Sequence, residues 1–234
     1  MRYNQFNQPI GEAIENYEIG SLPDVTCFEG KTVRVERVKM DHAKDIYEYL
    51  GPDSDQRMFS YIPLDGFSSY EEFEKFLLEE WVSKNDPYMF TIIDKASGKA
   101  VGNLGLLDMD KKNRVVEMGW VLYSNKLKRT RQATEAQYLV MEYVFEVLKY
   151  RCYKWECDHF NAASRNSALR LGFTFEGTFR NAMVYKGRNR DTDWFSIIDS
   201  EWESNKKRLQ TWLSDDNFDE NGNQKQSLSS MKIN

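Results

Sequence analysis

The run Val115-Val116-Glu117-Met118-Gly119-Trp120-Val121-Leu122-Tyr123 is short, β-branched and aromatic, and reads as a buried strand. A basic turn follows it, Lys126-Leu127-Lys128-Arg129-Thr130-Arg131. After the turn, Ala136, Leu139, Val140, Tyr143, Val144, Val147 and Leu148 recur at helical spacing. That spacing predicts an amphipathic helix from about Thr134 to Lys149. Tyr153-Lys154-Trp155-Glu156-Cys157-Asp158 then reads as a second strand. Strand, helix and strand in this order form a βαβ unit, so the two strands should lie parallel in one sheet.

Outward from this unit the chain alternates further. Towards the C-terminus, Asn161 is placed to cap a helix ending at Leu171-Gly172. Thr174 to Phe179 and Trp194 to Asp199 read as strands, and about Glu201 to Leu213 as a helix. Towards the N-terminus, Thr32 to Val38 alternates apolar with charged residues, as a half-buried strand does. Asp41 can cap a helix running to Leu50, stopped by Gly51-Pro52, and a second helix fits Tyr70 to Ser83. Strands at Tyr88 to Asp94 and Ala100 to Asp108, joined through Ser97-Gly98, precede the central one, with a turn at Lys112-Asn113. The order β-α-α-β-β-β-α-β-α-β-β-α predicts an α/β (α+β) fold on a mixed sheet. Residues 1–30 read as an N-terminal arm, 31–213 as one domain, and 214–234 as a polar tail with little regular structure.

Composition narrows the function classes. The 234 residues carry a net charge of −5, without the basic excess of a nucleic-acid binder. No apolar run is long enough to predict a membrane span, and the first residues lack an apolar signal core, so a cytoplasmic location is expected. Cys27, Cys152 and Cys157 lack zinc-ligand spacing, and His42 and His159 are the only histidines, so no metal site is expected. The basic turn is the chemical signal. The first N–H groups of a helix have no intrahelical partner and the helix dipole adds positive potential there, which suits a pyrophosphate. A solvated charge run at a strand–helix junction is the plainer alternative.

Several segments resemble one family in order and context. Lys128-Arg129-Thr130-Arg131-Gln132-Ala133-Thr134-Glu135-Ala136 is similar to the phosphate loop of GNAT acetyltransferases, in the form of the RimJ/RimL-like branch. Glu117-Met118-Gly119-Trp120, Lys154 to Asp158, Asn161-Ala162-Ala163-Ser164-Arg165, Leu171-Gly172-Phe173, Phe175 to Phe179 and Lys186 to Thr192 match further parts of that branch. The chain departs from the wider family where Arg131 and Ala133 replace loop glycines. Arg131 would take a positive φ only at a cost, although its side chain can supply charge-assisted hydrogen bonds instead.

The resemblance implies a GNAT fold in which the strands at 115–123 and 153–158 splay apart. The pantetheine arm of acetyl-CoA would lie between them, against backbone near Val121 and Leu122. Its pyrophosphate would sit on N–H groups from about Arg129 to Thr134, with Lys128, Arg129, Thr130, Arg131, Gln132, Ala133 and Thr134 forming the cradle. Asn161 would meet the pantetheine or a phosphate. Ser164 would stand near the thiol as a proton donor. The acceptor would be a small-molecule amine or a protein N-terminus, and the protein a monomer or homodimer. Glu117 is the base candidate, because a carboxylate among apolar neighbours has its pKa raised towards neutrality; period two places it on one face with Val115, Gly119 and Val121. An ion pair with an arginine across the sheet is the structural alternative. His159 reads as a structural hydrogen-bonder and Cys157 as core. Tyr61, Phe67, Trp120, Tyr185 and Trp194 are aromatic wall candidates. Arg188 and Arg190 are placed to receive an acidic acceptor, or to pair with Glu176 or Asp191. Transfer from another acyl-CoA such as succinyl-CoA, and a non-catalytic CoA-binding module, remain the competing readings.

Overall fold

The computed structural model describes residues 1–231. Two short strands, β1 (Arg2–Tyr3) and β2 (Pro9–Ile10), pair with each other in the N-terminal arm. Then follow β3 (Cys27–Glu29), β4 (Val33–Arg37), helix α1 (Ala43–Leu50) and helix α2 (Tyr70–Phe76), which a π-helical stretch extends to Val82. Strands β5 (Tyr88–Asp94), β6 (Ala100–Asp110) and β7 (Val115–Tyr123) form a meander. Helix α3 (Arg131–Glu142), with a π-helical end to Val147, leads to β8 (Cys152–Asp158) and α4 (Ala162–Leu171). A long hairpin, β9 (Thr174–Tyr185) and β10 (Arg188–Ile198), precedes α5 (Asp199–Leu213).

Strands β3 to β10 make one eight-stranded sheet in the order β3-β4-β5-β6-β7-β8-β10-β9. Every pairing is antiparallel except β7 with β8, the βαβ pair read from the sequence. Two hydrophobic layers cover it. On one face α1 and α2 pack Ile46, Leu50, Phe73, Leu77 and Trp81 against Met89, Ile93 and Leu122. On the other, Ala136, Val140 and Val144 of the α3 segment, with Leu209 and Trp212 of α5, close over Phe90, Leu104, Met118 and Tyr153. A sheet covered on both sides explains the nearly unbroken apolar runs in β5 and β6.

Several boundaries differ from the sequence reading. Asp41 is not a cap: α1 is entered through a 3-10 turn at Met40–His42. Helix α3 begins at Arg131, three residues early, with Thr130 as its N-cap. The last hairpin is much longer than expected, and its strands join through a tight turn at Lys186-Gly187. Asn161 and Gly172 end α4 as read: the Asn161 Oδ1 accepts from the Ser164 N–H at 3.1 Å, and Gly172 takes φ 103°, a left-handed C-cap conformation that glycine adopts cheaply.

The polar C-terminal segment is ordered where little structure was expected. Leu228 is 0% exposed. Arg208 donates to the Leu228 carbonyl at 2.9 Å, and Asn217 Nδ2 donates to the carbonyls of Trp212 and Gln226, both at 3.1 Å. Composition misled because these side chains bond to backbone, which substitutes for a regular ladder. The last three residues of that predicted tail, 232–234, lie outside the described residues.

Candidate active site

β7 and β8 pair only through Val115↔Cys152, Val116↔Tyr153 and Glu117↔Lys154. Beyond that row β8 turns wholly to β10, and β7 keeps only β6. From Met118 onward the two strands therefore leave a wedge with unpaired backbone on the β7 side. A bulge deepens the departure. Trp120 has φ 50°, and the register with β6 slips by one residue between Gly119 and Leu122. The slip corrects the period-two reading: Val121 turns to the α3 face, while Trp120 and Leu122 pack on the α1–α2 side.

Glu117 stands where the strands part. It is 7% exposed, on the α1–α2 side of the sheet. Gly119 leaves its carboxylate room: a Cβ there would lie 2.6 Å from Leu107 Cδ2 and 3.5 Å from Glu117 Oε1. The cation beside Glu117 is a lysine, not the arginine weighed from sequence. Lys154 Nζ lies 3.7 Å from Glu117, 3.2 Å from Glu156 and 3.9 Å from Asp108, and 4.8 Å from the centre of the Trp194 ring. Burial, and then the negative charge of Glu156, push Glu117 up to about 8 against the opposing pull of Lys154. A carboxylate that ionises near neutrality is suited to take a proton from an ammonium or attacking amine.

Lys154 and Glu156 were quoted in the sequence but given no role. Their signal was there: Lys154, Glu156 and Asp158 alternate on one strand, and the parallel pairing sets that face beside Glu117. Asp108 joins from a residue at φ 49° on β6, which spacing does not reveal.

At the mouth of the wedge, the loop Ser124–Thr130 turns into α3. Thr130 Oγ1 donates to the Leu127 carbonyl at 2.7 Å and accepts from the Ala133 N–H at 3.2 Å. Among the described residues, the N–H groups of Arg131 and Gln132 have no protein acceptor. These first helical donors, under the helix dipole, are what an anion needs. The strained residue is Arg129, at φ 64°, whereas Arg131 is helical, so the cost expected at Arg131 does not arise. The side chains part company too. Arg129 is exposed. Arg131 donates to the Leu213 carbonyl and to Asp215 at 2.9 Å, and covers the Phe218 ring. Lys128 donates to Asn125 at 3.0 Å, Gln132 to Asp94 at 2.8 Å, and Thr134 accepts from Arg170 at 2.9 Å. A cavity of about 370 Å³ flanks this loop, between Tyr123–Lys128, the end of α1 and the β5–β6 turn; Glu117 is not part of it.

Asn161 and Ser164 lie on the α4 side of β8. Ser164 Oγ accepts from the Trp155 indole at 2.9 Å, and burial pushes the neighbouring Cys157 thiol up to about 11. Cys157 is thus a core thiol and no nucleophile. His159 Nδ1 meets Asp193 at 3.0 Å, a fully buried carboxylate that also accepts from Thr178. The β9–β10 turn reaches back to the segment between α1 and α2. Lys186 Nζ donates to the carbonyls of Phe59 at 2.7 Å and Leu64 at 2.8 Å, and Arg188 donates to that of Ser60. Among the aromatic wall candidates, Phe67 belongs to the core with Phe73 and Phe76, while Trp194 faces Lys154. No helix of the described residues is long and apolar enough to cross a membrane.

The family model for the GNAT acetyltransferase domain matches residues 33–174. A GCN5-related N-acetyltransferase from Brucella melitensis is 41% identical, with a TM-score of 0.89 over 92% of this chain and 97% of its own. A GNAT-family structure from Chromobacterium violaceum is 34% identical, with a TM-score of 0.77 over 84% of this chain and 98% of its own. A Vibrio cholerae structure named for ribosomal-protein-serine acetylation is 20% identical, with a TM-score of 0.63 over 76% and 99%, and shares the fold alone. The curated proteins contain no match.

Proposed function

The chain belongs to the GNAT acetyltransferase family and is an acyl-CoA-dependent N-acyltransferase, and on that premise we propose that it moves an acetyl group from acetyl-CoA to a primary amine by direct attack in a ternary complex. The acceptor is a protein N-terminus or a small-molecule amine, in keeping with the RimJ/RimL-like motifs. The observation that carries this reading is Glu117, buried beside Lys154 and Glu156 at the row where β7 and β8 separate.

Acetyl-CoA supplies an activated acyl carbon on a thiol leaving group. The chain fits it in two places. Free N–H groups of Arg131 and Gln132, with the exposed Arg129 nearby, suit the pyrophosphate. The β7 backbone from Met118 onward, unpaired towards β8, suits the amide groups of pantetheine. Glu117 then does the proton work. It takes the proton of the arriving ammonium, which frees the nitrogen lone pair to attack. Glu117 passes that proton to solvent; as the new C–N bond forms and the C–S bond breaks, the second proton leaves the nitrogen for Glu117 and the thiolate departs. Ser164, whose oxygen accepts from the Trp155 indole, would give its hydroxyl proton to that thiolate and regain one from solvent.

Glu117→Gln tests the assignment. Acetyl-CoA consumption with a panel of amines and N-terminal peptides should fall by about two to four orders of magnitude in the variant, the usual worth of a positioned base. Unchanged turnover would remove Glu117 from the chemistry. No turnover by the wild-type protein, with intact acetyl-CoA binding, would favour a CoA-binding module, and preference for succinyl-CoA would reassign the donor.

A further inference from the structure

Arg190 of β10 is 8% exposed, and among the described residues no carboxylate lies within ion-pair distance of it. Its Nε donates to Thr192 Oγ1 at 3.1 Å, and its guanidinium carbon lies 5.8 Å from the centre of the Tyr185 ring. No other partner is found among the described residues. The carboxylates that could pair with it are used elsewhere. Asp191 Oδ1 accepts from the Asn181 N–H at 2.8 Å and from Asn189 at 3.0 Å. Glu176 accepts from Ser196. Asp158 accepts from the Tyr185 hydroxyl at 2.7 Å and from the Phe160 N–H at 2.8 Å. Arg188, the neighbouring cation, is committed to the Ser60 carbonyl.

A guanidinium whose terminal nitrogens have no protein partner is open to an anion that reaches it. The side chain also points to the right place. Arg190, Thr192 and Trp194 alternate on one face of β10, and Trp194 on that face lies under Lys154, the partner of Glu117. The bond to Thr192 folds the guanidinium back along the strand, towards Trp194 and the Lys154 row.

We propose that Arg190 is the anchor of a carboxylate subsite in the acceptor groove, and that the acceptor is the N-terminus of a peptide bearing a carboxylate a few residues from its reacting amine. This rests on the transferase reading above. The spacing sets the peptide's reach. Thr192 pairs with Asp158, four residues along β8 from the Lys154 row that holds Glu117. Four strand residues span roughly 13 Å and two strand spacings add about 10 Å sideways, so amine and carboxylate sit on the order of 15 Å apart. A free α-amino acid is far too short for that. An extended peptide covers it in about four residues. Asp108, Glu117 and Glu156 gather at the amine end, and Arg190 stands at the other, beside Asp158, whose carboxylate is occupied by the Tyr185 hydroxyl and the Phe160 N–H. Bidentate contact with a carboxylate is what a guanidinium with free terminal nitrogens makes best.

Three synthetic peptides decide it: amidated Ser-Ala-Ala-Glu-Ala, its twin with Gln for Glu, and Ser-Ala-Ala-Ala with a free carboxyl terminus. Each is titrated calorimetrically into the wild-type protein and into Arg190→Gln and Arg190→Lys, and assayed for acetyl transfer. The Glu peptide should bind wild type at least tenfold tighter than its Gln twin. That difference should vanish in Arg190→Gln and partly return in Arg190→Lys, with KM moving far more than kcat. The free-acid peptide tells whether a terminal carboxylate serves as well as a side chain. Equal binding of the twins to wild type, or no binding of either at millimolar concentration, overturns the subsite without needing any variant to fold. Discrimination without acetyl transfer would leave the subsite standing and sink the transferase reading; transfer without discrimination would do the reverse.

Discussion

Glu117 was legible as a residue because it is the lone charged side chain in an apolar strand, a pattern that raises a carboxylate's pKa wherever it occurs. Its environment was not legible, because Asp108, Lys154 and Glu156 reach it across two strand pairings. That environment sets a testable pH profile. Glu117 accepts a proton only when ionised, so kcat/KM should rise with pH through its pKa, near 8. Glu156 contributes to that elevation, so Glu156→Gln should move the rising limb to lower pH. Lys154 opposes it, so Lys154→Met should move the limb to higher pH. Rate profiles from pH 5.5 to 9.5 would read both shifts, and limbs that stay in place would mean another group is titrating.

At the scale of elements, the basic loop before α3 shows how one motif divides its labour. The sequence presents Arg129 and Arg131 as equals, since both flank the same turn. Folding separates them: Arg131 enters the helix and its side chain is taken by Asp215 and Phe218, while Arg129 stays exposed at a left-handed backbone position. Arg129→Ala should therefore weaken acetyl-CoA binding by roughly three- to tenfold, the worth of a modest charge–phosphate contact, and leave Tm unchanged. Arg131→Ala should lower Tm and disturb binding less. Calorimetric titration beside thermal unfolding separates the two, and the reverse ranking would put Arg131, not Arg129, on the phosphate. The β9–β10 hairpin was half missed for a related reason. Its outer residues lack a strand pattern: Asn189 and Arg190 pair with Val184 and Met183, while Arg180-Asn181-Ala182 bulge out of the register, Asn181 at φ 52° with its N–H held by Asp191.

The βαβ unit at 115–158 and the flanking periodicities were enough to predict the mixed sheet, because hydrophobic spacing carries that information locally. The C-terminal segment lay beyond such reading, since its order comes from contacts made far away in sequence. Leu228 is buried beneath α4 and α5, Arg208 binds its carbonyl, and Trp212 donates to Gln224 at 2.9 Å. The same segment holds Arg131 through Asp215 and Lys31 through a second contact to that carboxylate, so it ties the start of α3 to the β3–β4 turn. Its loss should be felt at both levels. Leu228→Ala removes a buried side chain and should cost about 2–5 kcal/mol, or roughly 5–15 °C in Tm for a chain of this size. Asp215→Asn, which leaves the core intact, should cost little stability but loosen the first turn of α3, raising the acetyl-CoA Kd a few-fold. Thermal unfolding and calorimetric titration of the two variants give a crossed pattern if the segment both completes the core and steadies the cofactor loop. Should Asp215→Asn bind acetyl-CoA like wild type, the segment acts on the core alone, and the helix terminus is held by Thr130 and its own first turn.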